Sequence, residues 1–305
     1  MSQDPGQKYQ NSGVNFTKDR HDTYAYIDPS NFNLRGKSVL ITGASKGVGK
    51  AIAISYAKAG ASRIALGARS SLEAITKDVK EAAKQAGRPQ PDVLALNLDV
   101  TDHSSVMVAV KNVGDAFEGR LDVLINNAGY LSSFAGIPDT DPDEWWKDWE
   151  VNVKGLYLVT HAFWPLLLKS DSKIIINVSS IGATMVPPLS NSYGPAKLAV
   201  LRFTEYINQD HGNGKDGMLA ISIHPGGVKT ELATTMPDAY HDHLVDTPEL
   251  AGDTFAWLGT ERREWLAGRY VSACWDMEEL SAKKEEILKG DLLKVRLAVN
   301  TFPGM

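Results

Sequence analysis

Tyr193 and Lys197 stand four residues apart, just ahead of an apolar-periodic run at 198–207. On a helix, positions i and i+4 share a face, so the phenol and the ammonium can enter one site. A neighbouring cation favours phenolate and is expected to pull the tyrosine below its usual pKa of about 10. That would make it a usable proton donor and acceptor near neutral pH. The spacing alone is common in unrelated chains, where it means a half-buried tyrosine beside a solvated lysine. Ser180 lies thirteen residues upstream. Its hydroxyl can bond a substrate carbonyl while the phenol supplies the proton, or it can simply cap a turn. Asn152 falls among apolar residues in the helical stretch 150–155. An amide there needs a partner, in a site or in the core.

The elements that would position these groups alternate along the chain. Short β-branched runs at 38–41, 63–67, 93–96, 122–125, 173–178, 220–223 and 269–273 read as strands. Helical patterns fill the gaps at 48–59, 71–86, 101–117, 141–169 and 191–209, and another opens at Thr247. Asp141, Pro142 and Glu144 form a strong helix start, and Pro165 is expected to kink or break the helix that follows. Pro195 is tolerable only in a first turn, so the Tyr193 helix should begin near Ser192 or Tyr193. This alternation predicts an α/β fold, a mostly parallel sheet covered on both faces. Such sheets bind ligands beyond the carboxyl ends of their strands, where strand order reverses.

The loops at those ends carry chemistry. After the first strand, Gly43, Ser45, Lys46, Gly47, Val48 and Gly49 belong to a G-x-x-x-G-x-G turn. Gly43 would allow a tight turn, Gly47 a close approach of backbone to pyrophosphate at a helix N-terminus, and Gly49 close packing of helix and strand. After the second strand stand Ala68 and Arg69, where a carboxylate would bind the ribose hydroxyl of NAD. With Lys46 as a second cation, a 2′-phosphate fits better, hence NADP. Asp99, before Val100, can meet an adenine edge, or Asp99 or Thr101 can cap the next helix. Asn126 and Asn127 continue the fourth strand into Ala128 and Gly129 and can bridge to neighbouring strands. Pro225, Gly226, Val228 and Thr230 follow the sixth strand, shaped for a flat ring and its amide.

Taken in order, T-G-x-x-x-G-x-G, N-N-A-G, Asn152, the Ser180–Tyr193 interval, Y-x-x-x-K and P-G-x-V-x-T resemble the short-chain dehydrogenase/reductase family over about 35–275. The segment 268–276 resembles fungal members. The resemblance implies a three-layer, doubly wound Rossmann fold with a seven-stranded, mostly parallel sheet. It implies a nicotinamide dinucleotide, which Ala68, Arg69 and Lys46 narrow to NADP(H), and hydride transfer to or from a ketone or secondary alcohol. It makes Tyr193 the general acid and base, and Lys197 the residue that tunes Tyr193 and holds the nicotinamide ribose. Ser180 would polarise the substrate oxygen, and Asn152 would hold a water linking Lys197 to solvent. The loop residues named above, apart from Ala68, Thr101 and Asn127, would contact the cofactor, and a homodimer or homotetramer is expected. The sequence departs from the family pattern at Pro195-Ala196, where Ala-Ser is frequent, and at His224, which replaces a frequent Asn and is read as structural.

The 305 residues are 43% hydrophobic and 23% charged, with a net charge of −5 and both signs interspersed. That suits a soluble globular protein and argues against nucleic acid as a partner. The lone Cys274 rules out an internal disulfide and a multi-cysteine metal centre, and fits a reducing compartment. No span-length apolar run or signal peptide is read, so a cytoplasmic location is expected. Residues 1–34 read as an extension whose second half, with Tyr24, Tyr26 and Phe32, drapes over a single catalytic domain at 35–305. The tail 278–305 exceeds the family's common core, and its stretch 282–288 reads as a charged helix with a solvated face. Substrate choice falls to loops carrying Leu131, Phe134, Met185, Val186, Leu189, Leu232, Met236 and Tyr240, the last three in a loop at 231–247. They suggest an apolar, aromatic or polycyclic small molecule, unless they only cover the core. His241 and His243 are not expected to bind metal. Trp145, Trp146 and Trp149 suggest packing or subunit contact. The contrasting reading is a catalytically idle dinucleotide-binding sensor or scaffold, whose usual mark is loss of Tyr, Lys or Ser; all three are present.

Overall fold

The computed structural model describes residues 13–297. Seven strands form one sheet: β1 (Ser38–Thr42), β2 (Arg63–Ala68), β3 (Asp92–Asn97), β4 (Val123–Asn126), β5 (Ile174–Val178), β6 (Leu219–His224) and β7 (Tyr270–Ser272). Their spatial order is β3-β2-β1-β4-β5-β6-β7, and every pairing is parallel. Strand order reverses between β1 and β4, so the loops leaving those strands face each other across a crevice.

Burial on both faces explains the unbroken apolar strands. Val39 and Ile41 of β1 join a core with α1 (Gly47–Lys58), α2 (Glu73–Gln85) and α7 (Pro248–Thr260). Leu40, between them, points to the other core with α3 (His103–Ala116) and α5 (Leu156–Leu168). The same alternation recurs in β4 and β5: Ile125 and Ile176 on one side, Leu124 and Ile175 on the other.

α4 (Pro142–Trp149) starts as expected: the Asp141 carboxylate accepts the N–H groups of Asp143 and Glu144, with Pro142 at the first position. Between α4 and α5 the chain widens into a π-helical turn, Glu150–Gly155. Pro165 does not break α5. Both Pro165 and His161, whose carbonyl it leaves unpaired, are exposed, so water can take that hydrogen bond. α6 (Tyr193–His211) begins at Tyr193, with Pro195 in its first turn.

The described part of the N-terminal extension is draped, as expected of its aromatics. Ile27 and Leu34 are fully buried. The Tyr24 hydroxyl accepts the Met277 N–H at 2.6 Å, and Tyr26 stands 6.3 Å from the Trp257 ring. Residues 1–12 lie outside the described residues. The tail corrects its expectation. Instead of one solvated helix it forms α8 (Met277–Ala282) and α9 (Lys284–Lys289), parted at Lys283. Leu280 and Ile287, seven apart on one face, are fully buried while the charges point outward.

Candidate active site

The cleft at the strand-order reversal encloses about 1300 Å³. Its floor is the β1–α1 turn. Gly43 has φ +67°, open to glycine at little cost. A Cβ on Gly49 would lie 2.2 Å from the Gly43 carbonyl oxygen and 2.6 Å from Asn127 Nδ2. Gly49 thus packs helix against loop, rather than against the strand itself. Asn127 staples the turn: its Nδ2 donates to the carbonyls of Thr42 (2.8 Å) and Gly43 (3.1 Å). The Thr42 hydroxyl in return accepts the N–H groups of Asn127 and Ala128. Gly47, Val48 and Gly49 open α1 on the cleft, and a helix's first N–H groups lack intrahelical partners. This is a cradle that a side chain would fill, and its donors suit a dinucleotide pyrophosphate.

At the β2–β3 side, Ala68, Arg69, Asp99 and Val100 line the cleft. Arg69 is exposed and makes no hydrogen bond or ion pair with a described residue. Lys46, the expected second cation, is paired with Glu231 across the mouth, both side chains being mostly exposed. Asp99 does not cap α3; Asp102 does. Burial pushes Asp99 up, but hydrogen bonds from Thr101 and the charge of Arg69 hold it below the ordinary carboxylate value.

The β5 and α6 side gathers Ser180, Tyr193 and Lys197. Ser180 closes a turn, its Oγ accepting the Gly182 N–H at 3.1 Å, and is also hydrogen-bonded to the Tyr193 phenol. Lys197 is buried; its Nζ donates to the Val178 carbonyl at 2.9 Å and lies 5.6 Å from the Tyr193 ring centroid. Asn152 sits in the π turn, where the wider helix leaves its amide free to bond inward. Its Nδ2 donates to the carbonyls of Tyr130 (2.8 Å) and Asp148 (2.9 Å). A Cβ on Gly129 would stand 3.1 Å from Asn152 Oδ1 and 3.8 Å from Lys197 Nζ, so both groups border the same small space.

The expected fall in the Tyr193 pKa is not found. Burial pushes the phenol up to about 12, against the Ser180 hydrogen bond, and Asp148 adds to the rise. Burial likewise brings Lys197 down to about 8, with Asp148 opposing. Spacing conveys the neighbour but not the loss of water around both groups.

Asp148 is a residue that the sequence reading missed. It is fully buried one helical turn before Asn152. Its carboxylate accepts the Ser132 N–H (3.1 Å) and hydroxyl (2.5 Å). Burial raises its pKa, against hydrogen bonds from Ser132 and Ser192. The only sequence signal was an acid at i−4 from Asn152, hidden in an acidic helix start.

The cleft brings together every predicted site residue except two. Asn152 lies behind Gly129. Asn126 points into the core, where its Nδ2 donates to Thr160 Oγ1 (2.9 Å) and Asn177 Oδ1 (2.8 Å). Asn127 takes its place on the cleft wall, because the strand pleat turns alternate side chains to opposite sides. His224 also lines the cleft; burial pushes its imidazole down to about 4 and its Nδ1 has no partner among the described residues. The apolar loop residues line the cleft, apart from Leu189, and Leu131 does so while buried. Leu189 opens on an adjoining recess. Phe134 and Tyr240 meet across it with ring centroids 5.4 Å apart. Trp145, Trp146 and Trp149 stack on one another, and Trp145 donates to Asn191 Oδ1 at 3.0 Å. Among the described residues no group of three acidic, histidine or cysteine side chains could hold a metal.

Comparison with known proteins agrees with this geometry. The short chain dehydrogenase family model matches residues 37–241. The chain is 50% identical to short chain dehydrogenase mpl6 of Monascus purpureus over 283 residues, 93% of this chain and 96% of that protein. It is 46% identical to pigC of Monascus ruber, covering 90% of this chain and 91% of that one. Among solved structures, a Serratia marcescens short-chain dehydrogenase/reductase variant superposes with a TM-score of 0.68 at 27% identity, covering 78% and 96%. The 3-oxoacyl-[acyl-carrier protein] reductase of Brucella melitensis, solved with NAD, shares the fold at a TM-score of 0.69 and 22% identity, covering 78% and 95%.

Proposed function

We propose, since this chain belongs to the short chain dehydrogenase family, that it moves hydride between NADP(H) and a ketone or secondary alcohol, with Tyr193 as general acid and base. The observation that carries this reading is the meeting of Ser180, Tyr193 and Lys197 beside a glycine cradle. The cofactor, when bound, supplies the hydride. In reduction, Ser180 Oγ donates to the carbonyl oxygen and orients it. Tyr193 gives its proton to that oxygen as the carbinol forms; its high pKa keeps that proton in place until then. Lys197, held on the Val178 carbonyl, keeps an ammonium near the phenol as charge develops. In oxidation the phenolate takes the proton back. The cleft's apolar lining, with Phe134, Met185 and Tyr240, favours an apolar or aromatic small molecule. An idle sensor is the weaker reading, because no member of the set is missing.

Asp148 fits this scheme as a charge beside the proton relay. Asp148→Asn removes a group that raises both Tyr193 and Lys197. Both pKa values then fall, so the alkaline limb of the pH–rate profile moves to lower pH in either direction. A profile that stays in place while the rate drops would make Asp148 merely structural.

NADP preference is supported by Ala68 in the acid's position and by the unpaired Arg69. The expected result is thermal stabilisation by NADPH well beyond that by NADH at equal concentration. At a hundred times Kd it amounts to about 2.7 kcal/mol. Arg69→Ala should erase the difference. Equal stabilisation by both in the unaltered protein would refute the preference. A homodimer or homotetramer, through the helices that expose Trp146, Tyr157 and Tyr206, belongs to the same reading, as do a single catalytic domain at 35–305 and a cytoplasmic location. Among the described residues no helix is long and apolar enough to cross a membrane.

A further inference from the structure

The turn after β6 is gripped by groups outside the span of the family model. Asp246 closes the substrate loop, and its side chain is only 4% exposed. Its Oδ2 accepts the Gly227 N–H at 2.5 Å and faces Cys274 Sγ at 3.1 Å. The Asp246 N–H returns a bond to the Gly227 carbonyl at 3.1 Å. Gly226 has φ +94°, and a Cβ there would lie 2.8 Å from Asp246 Oδ2. The turn is therefore packed on this carboxylate with no slack. His21, from the N-terminal extension, completes the set. Its Nδ1 lies 2.6 Å from Asp246 Oδ1, and its carbonyl accepts the Thr247 N–H at 2.9 Å. The extension is anchored separately nearby, by Arg20 on Asp276 at 2.5 Å and by Trp275 Nε1 on the Gly13 carbonyl at 2.8 Å.

We propose that His21 and Asp246 are positioning residues that brace the 225–227 turn, so that it presents a fixed surface to the nicotinamide end of the bound dinucleotide. This rests on the dinucleotide reading above. A backbone turn aimed at a flat ring works only if its peptide planes stay put, and a buried carboxylate bonded from two sides holds them. The family model spans 37–241, which leaves out both residues. The match to mpl6 covers 93% of this chain, so similarity continues past the family model into the segment that carries Asp246.

The test separates the two ends of the cofactor. Affinities for NADPH and for 2′,5′-ADP, which lacks nicotinamide, are measured on the full chain. The variants are His21→Ala, His21→Asn, Asp246→Asn and Arg20→Ala, each checked for folding by circular dichroism. One lost hydrogen bond should weaken NADPH about threefold in His21→Ala and about tenfold in Asp246→Asn, the more buried partner. Affinity for 2′,5′-ADP should not move. His21→Asn should restore NADPH binding, since its amide N–H can stand where the imidazole Nδ1–H stood. Arg20→Ala, which loosens the extension without touching Asp246, should bind like the unaltered protein. Equal weakening of fragment and whole cofactor would overturn the proposal, as would an Arg20→Ala effect matching His21→Ala. Unchanged NADPH affinity in Asp246→Asn would overturn the brace alone. An unaltered protein that bound neither NADPH nor NADH would overturn the dinucleotide reading beneath it.

Discussion

Tyr193→Phe should lower turnover by roughly 10²- to 10⁴-fold, the usual contribution of a positioned proton donor. It removes one oxygen from a residue that opens α6 and hydrogen-bonds Ser180. The ring stays, so the fold and the cleft stay. Lys197 keeps its bond to the Val178 carbonyl, because that contact does not pass through the phenol. NADPH should therefore stabilise the Phe variant against heat as it does the unaltered protein. The pairing of lost turnover with kept stabilisation is the signature of proton transfer. Loss of both would mean that the hydroxyl holds the site together. Undiminished turnover would remove Tyr193 from the mechanism.

The second large effect is expected at Gly49. Gly49→Ala adds one carbon 2.2 Å from the Gly43 carbonyl oxygen and 2.6 Å from Asn127 Nδ2. Neither neighbour can step aside freely: Gly43 is backbone at φ +67°, and the Asn127 amide is tied to two carbonyls. Overpacking of this kind costs about 1–3 kcal/mol. Relief requires the β1–α1 turn to open, which misaims the N–H groups at the start of α1. Each bond lost to a charged phosphate is worth about 1.5–3 kcal/mol, or tenfold and more in affinity. Thermal melting should fall by several degrees and NADPH binding by more than tenfold. Unaltered melting and affinity would contradict the cradle. Gly47→Ala makes a different comparison: the added carbon meets only the Thr230 side chain, its methyl at 3.0 Å, and its cost comes instead from a backbone at φ +56°.

Much of this architecture was legible in the sequence because its causes are local. Strands buried on both faces must read as apolar runs, and all seven runs became strands of one parallel sheet. Asp141-Pro142 and Pro195 fixed helix starts through capping and ring sterics, which act within one turn. What escaped has causes far apart in the chain. The grip of Asn127 on the glycine turn joins residues more than eighty positions apart, so the pair Asn126-Asn127 could not be sorted by spacing alone. The π turn around Asn152 packs against α6, a neighbour that the stretch Glu150–Gly155 does not reveal by itself. Lys46 read as a free cation because Glu231 is brought to it only by the substrate loop. The tail looked solvated because its apolar residues are sparse among charges, yet Met277, Leu280 and Ile287 are all buried on the core.

The pKa values show the same limit from another side. Four-residue spacing correctly put a lysine beside Tyr193, but the sign of the shift depends on burial. Water excluded from both groups outweighs their proximity. A phenol held at about 12 is protonated at neutral pH, which is the form that donates a proton in the proposed scheme.

The most direct test follows the hydride itself. Apolar ketones are screened with NADPH carrying deuterium at both nicotinamide C4 positions, in the unaltered protein and in Tyr193→Phe. The expected result is consumption of NADPH matched mole for mole by a carbinol with deuterium on its carbinol carbon, and neither in the Phe variant. NADPH consumption at the same rate in both proteins, or a carbinol whose hydrogen came from solvent, would contradict the account.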